Sequence, residues 1–153
     1  MLTSAQITTL RALADADQVA AGYVATADDI ALSSWFNEPP AHVVWRGVLS
    51  PEMARSAIIG GATQLDALTV GKRDSLLWLC SGNLNPSVPS VRAAIDDLCG
   101  TQNTLKAALQ SAQKRFATRA EKALASGTGT TNSPATLTRE GLLSYSEASI
   151  IRS

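Results

Sequence analysis

Few residues in this chain are of types that do chemistry at neutral pH, and their spacing decides what they could do. His42 is the single histidine. It follows the Pro39-Pro40 turn, and no GxSxG or HExxH motif accompanies it to supply a nucleophile or a metal. Cys80 and Cys99 are the only cysteines and form no CxxC. Their spacing fits neither a zinc site nor a redox pair, and no signal peptide precedes them, so buried, reduced thiols are expected. Gly71-Lys72 resembles the end of a phosphate loop. That motif needs a glycine at position 66 and a hydroxyl at position 73, where the chain has Asp66 and Arg73. Asp96-Asp97 are adjacent carboxylates, but neighbouring side chains diverge on a helix and no third cation ligand is evident. The expectation is a protein without catalytic residues, cofactor or metal: not an enzyme.

The remaining candidates are cations. Lys106, Lys114, Arg115, Arg119 and Lys122 fall in the stretch 101–126, which reads as one uninterrupted helix. Thr101 or Thr104 can cap its start and Gly127 its end. Leu105, Leu109, Ala112, Phe116, Ala120 and Leu124 recur at steps of three and four and form one apolar stripe. At 1.5 Å per residue such a helix spans roughly 35 Å and would act as the spine of the fold. The cations avoid the stripe, so Lys114, Arg115, Arg119 and Lys122 are expected on a solvated face that meets an acidic partner.

Composition sets the class. The 153 residues include 13 basic and 13 acidic side chains, 45% hydrophobic residues and 5% aromatics. That length suits one domain with its own core, and alanine-rich apolar content favours thin helix-on-helix packing. Zero net charge gives no bulk affinity for nucleic acid. The charge is uneven, however. Residues 1–71 carry three cations against seven carboxylates, and residues 72–126 carry eight against four. Such a chain suits head-to-tail packing of copies, while neutralisation within one fold is the simpler account. No apolar run reaches the ~20 residues of a membrane span.

Along the chain, helix starts are expected at Thr3 or Ser4, at Asp15 or Asp17, at Thr26 with Asp28 and Asp29 behind it, at Ser50-Pro51, and at Ser87 or Ser90. A short extended segment is expected near 42–49, where AHVVWRGVL is rich in β-branched and aromatic residues. Beyond Ser126 the composition turns to Gly, Ser and Thr, which is linker chemistry. Residues 135–143 alternate as an extended arm, and Ser144 with Glu147 forms a capping box for a last short helix. The fold class is therefore mainly α. Its domain is a helical bundle over 1–126 organised on the long helix, and a linker and C-terminal arm occupy 127–153. The arm either folds back or adds to a neighbour by strand augmentation. With hardly any sheet in the chain, the neighbour is preferred, and the free arm is expected to be disordered.

Three stretches carry a resemblance: LDALTVGKRD at 65–74, NPSVPSVRAAIDD at 85–97 and above all ATRAEKALASGTGTTNSPATLTREG at 117–141. They resemble small uncharacterised proteins encoded among the virion-structural genes of tailed bacteriophages. That resemblance implies a virion structural protein, made in the host cytoplasm and then located in the virion. By analogy of fold alone it suggests a head–tail connector, an adaptor forming a homo-oligomeric ring between portal and tail. Copies of itself and portal or tail proteins would be the partners, with Leu137, Thr138, Leu142 and Leu143 of the arm docking on them. Packaged DNA would pass near the basic face without sequence-specific binding. The alternatives are a tail, baseplate or fibre-attachment component, and a non-virion regulatory or DNA-binding helical protein.

Overall fold

The computed structural model describes residues 1–153. Ten helices and four short strands follow in order: α1 (Ser4–Ala16), α2 (Gln18–Thr26), α3 (Asp29–Asn37), β1 (Val43–Trp45), α4 (Pro51–Gly60), α5 (Ala62–Leu65), α6 (Val70–Leu79), α7 (Pro89–Cys99), α8 (Asn103–Ala112), β2 (Lys114–Phe116), α9 (Arg119–Leu124), β3 (Ala125–Ser126), β4 (Thr136–Leu137) and α10 (Tyr145–Arg152). The fold is mainly α. The chain divides into two units, Met1–Val44 with Phe116–Ser153 and Trp45–Arg115, so it leaves the first unit within β1 and re-enters it within β2.

The first unit joins the two ends of the chain. Thr3 caps α1 in a reciprocal box with Gln6, Asp17 caps α2 through the N–H groups of Val19 and Ala20, and Asp28 caps α3 through Ala31 N–H. Thr26, expected as that last cap, is instead the final residue of α2. Leu10, Ala14, Leu32 and Phe36 from the N-terminal helices bury against Ala120 of α9 and Leu143, Ala148 and Ile151 of the C-terminal segment. Burying a side chain of the size of Leu143 or Ile151 stabilises by about 1.5–3 kcal/mol, so residues 127–153 contribute to this core and are not a separate appendage. A smaller cluster of Val44, Ala117 and Ala135 sits beside it.

The second unit is a continuous run of helices. Ser50 caps α4 with Pro51 at its first position. Helix α7 starts at Pro89 after Val88, with no side-chain cap from Ser87 or Ser90. Leu49, Ile58, Leu76, Ile95, Leu105 and Leu109 form its core together with Cys80 and Cys99. Gly61 lets α8 approach closely, since a Cβ there would stand 2.6 Å from Leu105 Cα.

The long helix expected over 101–126 is instead two helices with an extended break between them. Helix α8 ends at Ala112. In the second unit Arg46 N–H donates to Gln113 O at 2.9 Å, and in the first Ala117 N–H donates to His42 O at 2.9 Å. These bonds draw 114–116 into extended backbone. Thr118 then restarts the helix with its own capping box, its side chain accepting from Glu121 N–H while Glu121 accepts from Thr118 N–H. The apolar stripe is divided accordingly: Leu105 and Leu109 are buried in the second unit, Ala120 in the first, and Phe116 is 63% exposed.

The arm folds onto its own unit. Strand β4 pairs antiparallel with β3 in the register Ala125 to Leu137 and Ser126 to Thr136. Val43 N–H donates to Gly129 O at 2.8 Å, and Ala135 N–H to Val43 O at 2.9 Å. The expected extended segment near 42–49 is thus realised as β1, at Val43–Trp45, with the arm supplying part of its pairing.

Candidate functional site

The four cations expected on one face lie in different places: Lys114 and Arg115 on β2 in the second unit, Arg119 and Lys122 on α9 in the first. The helix break at 114–116 separates them. In each unit a tryptophan ring takes one of them, Trp35 holding Arg119 and Trp45 holding Lys114.

In the first unit, Arg119 is the first residue of α9, and its backbone N–H donates to Glu38 O at 2.9 Å. Its guanidinium carbon lies 4.7 Å from the centre of the Trp35 ring. Nη1 donates to Glu38 Oε2 at 2.9 Å and to Trp35 O at 3.3 Å. Packing, cation–π attraction and the ion pair fix this side chain in one place. Two clefts of about 410 and 400 Å³ share Asp17, Trp35 and Arg119 as walls. The first is completed by polar and mixed groups, Tyr23, Ser34 and Glu38 among them. The second has a more apolar floor of Leu13, Ala16, Pro40 and Ala123, with Lys122 at its rim.

His42 lies in the same unit, buried, with its Nε2 making no hydrogen bond. Burial, and secondarily the positive charge of Lys122, lower its pKa below the ordinary histidine value. Its ring packs against Gly129, which has a φ of +69° and leaves no room there for a Cβ. His42 therefore acts as a packing element under the arm.

In the second unit, Trp45 draws Arg92 to 4.2 Å and Lys114 to 5.4 Å from its ring centre. Arg92 also donates to Pro86 O. Arg46 donates through Nε to Ala112 O at 3.0 Å. Asp96 accepts from Gln110 and pairs with Lys106 at 3.6 Å, so it belongs to a polar clasp between α7 and α8. Both thiols are buried and unlinked. Burial and the neighbouring Cys99 push the Cys80 thiol up to about 11, and burial raises Cys99 as well, so neither is a nucleophile at neutral pH. No group of three or more His, Cys, Asp and Glu residues is placed to hold a metal ion.

The arm residues are also divided in their roles. Leu137 lies in β4, Thr138 donates from Oγ1 to Leu124 O at 2.8 Å, and Leu143 is 3% exposed. Leu143 is locked by Asn37, whose Oδ1 accepts from Leu143 N–H and whose Nδ2 donates to Leu143 O, both at 2.8 Å. Leu142 is exposed at 68%, and Thr138 is exposed as well. Sequence reasoning missed Trp35 and Trp45 as cation platforms, and it missed Glu121, which is 2% exposed and accepts from Gly141 N–H at 2.8 Å. The last had a readable signal, the Thr118-x-x-Glu121 pattern of a helix start.

Comparison with protein-family models, with curated proteins and with solved structures finds no match. No helix is long and apolar enough to cross a membrane.

The charge distribution sharpens once the units are known. The first holds five cations (Arg11, Arg119, Lys122, Arg139, Arg152) against eight carboxylates (Asp15, Asp17, Asp28, Asp29, Glu38, Glu121, Glu140, Glu147), a formal −3. The second holds eight cations (Arg46, Arg55, Lys72, Arg73, Arg92, Lys106, Lys114, Arg115) against five carboxylates (Glu52, Asp66, Asp74, Asp96, Asp97), a formal +3. Each unit also leaves large apolar side chains in solvent, Ile30, Leu142 and Tyr145 in the first, Ile59, Val70 and Trp78 in the second.

Proposed function

We propose that this chain is a structural protein of a tailed-phage virion, an adaptor at the head–tail junction that forms an oligomeric ring between portal and tail. The observation that carries an assembly role is the set of large apolar side chains left in water on both units, with Trp78 at 77%, Ile30 at 72% and Leu142 at 68% exposure. On α6 of the second unit Val70, Leu77 and Trp78 are exposed on one helix, and apolar side chains exposed together mark protein–protein contact. The phage setting rests on the resemblance carried by residues 65–74, 85–97 and 117–141.

In this reading the arm is anchored on its own unit by Thr138 and Leu143, and it offers a partner Leu142 together with Tyr145, which is 69% exposed. The Trp45, Arg92 and Lys114 cluster gives the basic unit a surface near passing DNA without base readout. The test is to locate the protein in purified particles by mass spectrometry and electron microscopy. Closed rings seated on the portal are expected. Copies confined to the tail tip would move the role to the baseplate, and absence from particles would end the virion reading.

A further inference from the structure

We propose that the first unit carries an acid-operated catch: protonation of His42 lifts the loop over 127–135 off β1 while the rest of the unit stays folded. The device belongs to the fold of this unit and stands apart from the virion reading.

The loop is able to open by itself. It joins β3 to β4, which pair with each other at its base, so it can lift without freeing the arm. Its residues, GTGTTNSPA, bring no large apolar side chain to hold it down. From 126 to 133 every residue is exposed except Gly129, which is buried against the His42 ring. A Cβ on Gly129 would overlap Cε1, Nδ1 and Nε2 together, so the glycine lies across the ring. The loop is tied to β1 through Val43, the residue after His42: Val43 N–H donates to Gly129 O at 2.8 Å, and Ala135 N–H donates to Val43 O at 2.9 Å.

His42 is the catch because its site suits only the neutral ring. The residue is 9% exposed and its Nε2 is buried without a hydrogen-bond partner. A protonated imidazole carries an N–H on both nitrogens, and here Nε2 has no acceptor to receive one. The surrounding charges do not help. Lys122 of α9 acts on the ring with a charge of the same sign. On that helix Arg119 is turned to Glu38 and Trp35, and Glu121 accepts from Thr118 and Gly141 N–H. The loop itself and residues 39–44 bring no titratable side chain other than His42. A charged ring must therefore reach water, and Gly129 has to leave its face for that to happen. The open state shows solvent the edge of β1 at Val43 and the small cluster of Val44, Ala117 and Ala135.

The test is amide exchange of the full chain by NMR at pH 7.5 and 5.5, corrected for the intrinsic exchange rate, with and without urea below the unfolding transition. The Val43 and Ala135 N–H groups are expected to exchange through an opening that urea does not change, whereas urea speeds the exchange of Leu10 and Leu32 in the core. Between the two pH values that opening should grow by as much as about tenfold, the limit for one group that takes up its proton at 6.5 once open. The growth should follow the titration of the His42 ring, read in the same samples from its Cε1–H signal. In His42→Gln the opening should lose its pH dependence, whatever its absolute size. Loop amides that share the urea dependence of Leu10 and Leu32 overturn the proposal, because the loop then opens only when the unit unfolds. So do a wild-type ring that titrates at or above 6.5 and a pH response that persists in His42→Gln.

Discussion

The two units solve the same problem, closing a small helical core, by different means. The second is a continuous segment of 45–115 in which α8 packs back on α4 as well as on α7, and its core is aliphatic with two inert thiols. The first must bring residues 1–44 together with 116–153, and polar ties help to join them: Asn37 on the backbone of Leu143, the Arg152–Asp29 ion pair at 2.8 Å, and Gly129 O on Val43 N–H of β1, while Glu121 holds Gly141 within the C-terminal segment. Contacts between distant segments carry a larger loop-closure cost, and directional hydrogen bonds fix a register that apolar packing alone leaves loose. Both units have apolar cores and polar ties: in the second, Gln64 Oε1 accepts from Thr104 and Leu105 N–H and Asp96 bridges α7 and α8, all within one segment, whereas those of the first join the two ends of the chain.

The sharpest way to break this comparison is at the glycine each unit cannot lose. Gly61→Ala places a Cβ 2.6 Å from Leu105 Cα, a backbone atom that no side-chain truncation removes. We expect this substitution to destabilise the most, by about 3 kcal/mol or more, through forced separation of α4 and α8. Leu105→Ala added to it should make matters worse. Gly129→Ala places its Cβ 1.9 Å from His42 Cε1 at a φ of +69°, so it combines a left-handed backbone penalty with overpacking, together about 3 kcal/mol. Here the obstacle is a side chain, and His42→Ala in the same chain should recover the overpacking part. Urea denaturation of the singles and doubles checks both. Equal rescue in the two units would show that the distinction between backbone and side-chain packing is wrong.

Next in size come the clamps. Glu121 is buried and holds Thr118 N–H and Gly141 N–H. Glu121→Ala leaves both N–H groups without this acceptor, and a loss of about 2–3 kcal/mol is expected. Asn37→Ala frees both backbone groups of Leu143 and should cost about 2 kcal/mol. Amide exchange gives the more telling readout. Asn37→Ala should expose residues 137–151 to exchange well before 49–109, whereas uniform loss of protection would mean that the two units unfold together.

These residues also show what the sequence could and could not reveal. The mainly helical class followed from apolar spacing, and Thr3, Asp17, Ser50 and Ser144 do cap helices as their side-chain chemistry requires. The continuous helix over 101–126 was misread because periodicity is blind to interruption. Three extended residues shift the stripe without abolishing its three-and-four spacing, and only the capping box at Thr118 and Glu121 betrays the restart. The arm's attachment was illegible for another reason. Asn37 and Leu143 lie 106 positions apart, and nothing local marks an asparagine that will bind a distant backbone. The cation platforms at Trp35 and Trp45 depend likewise on tertiary placement, since Arg119 and Arg92 are far from them in sequence.

The smallest predicted effect isolates a single group. The only histidine lies in the first unit, so a change in stability between pH 7.5 and 5.5 separates the units without disturbing the carboxylates that titrate lower down. Burial lowers the folded pKa of His42 below its unfolded value of 6.5. Above pH 6.5 the ring is neutral in both states and stability is complete. As the pH falls through 6.5 the unfolded chain takes up the proton first, so stability declines and goes on declining until the folded value is passed. Thermal melts should therefore shift down over this interval in the wild type and stay level in His42→Gln, with the shift confined to signals of the first unit. The paired carboxylates Asp29 and Glu147, whose pKa values are lowered, lose their stabilising contribution only at more acid pH. A wild-type melt that is flat from pH 7.5 to 5.5 would mean that the His42 ring reaches water as freely in the folded unit as in the unfolded chain, and the packing of the arm over it would have to be redrawn.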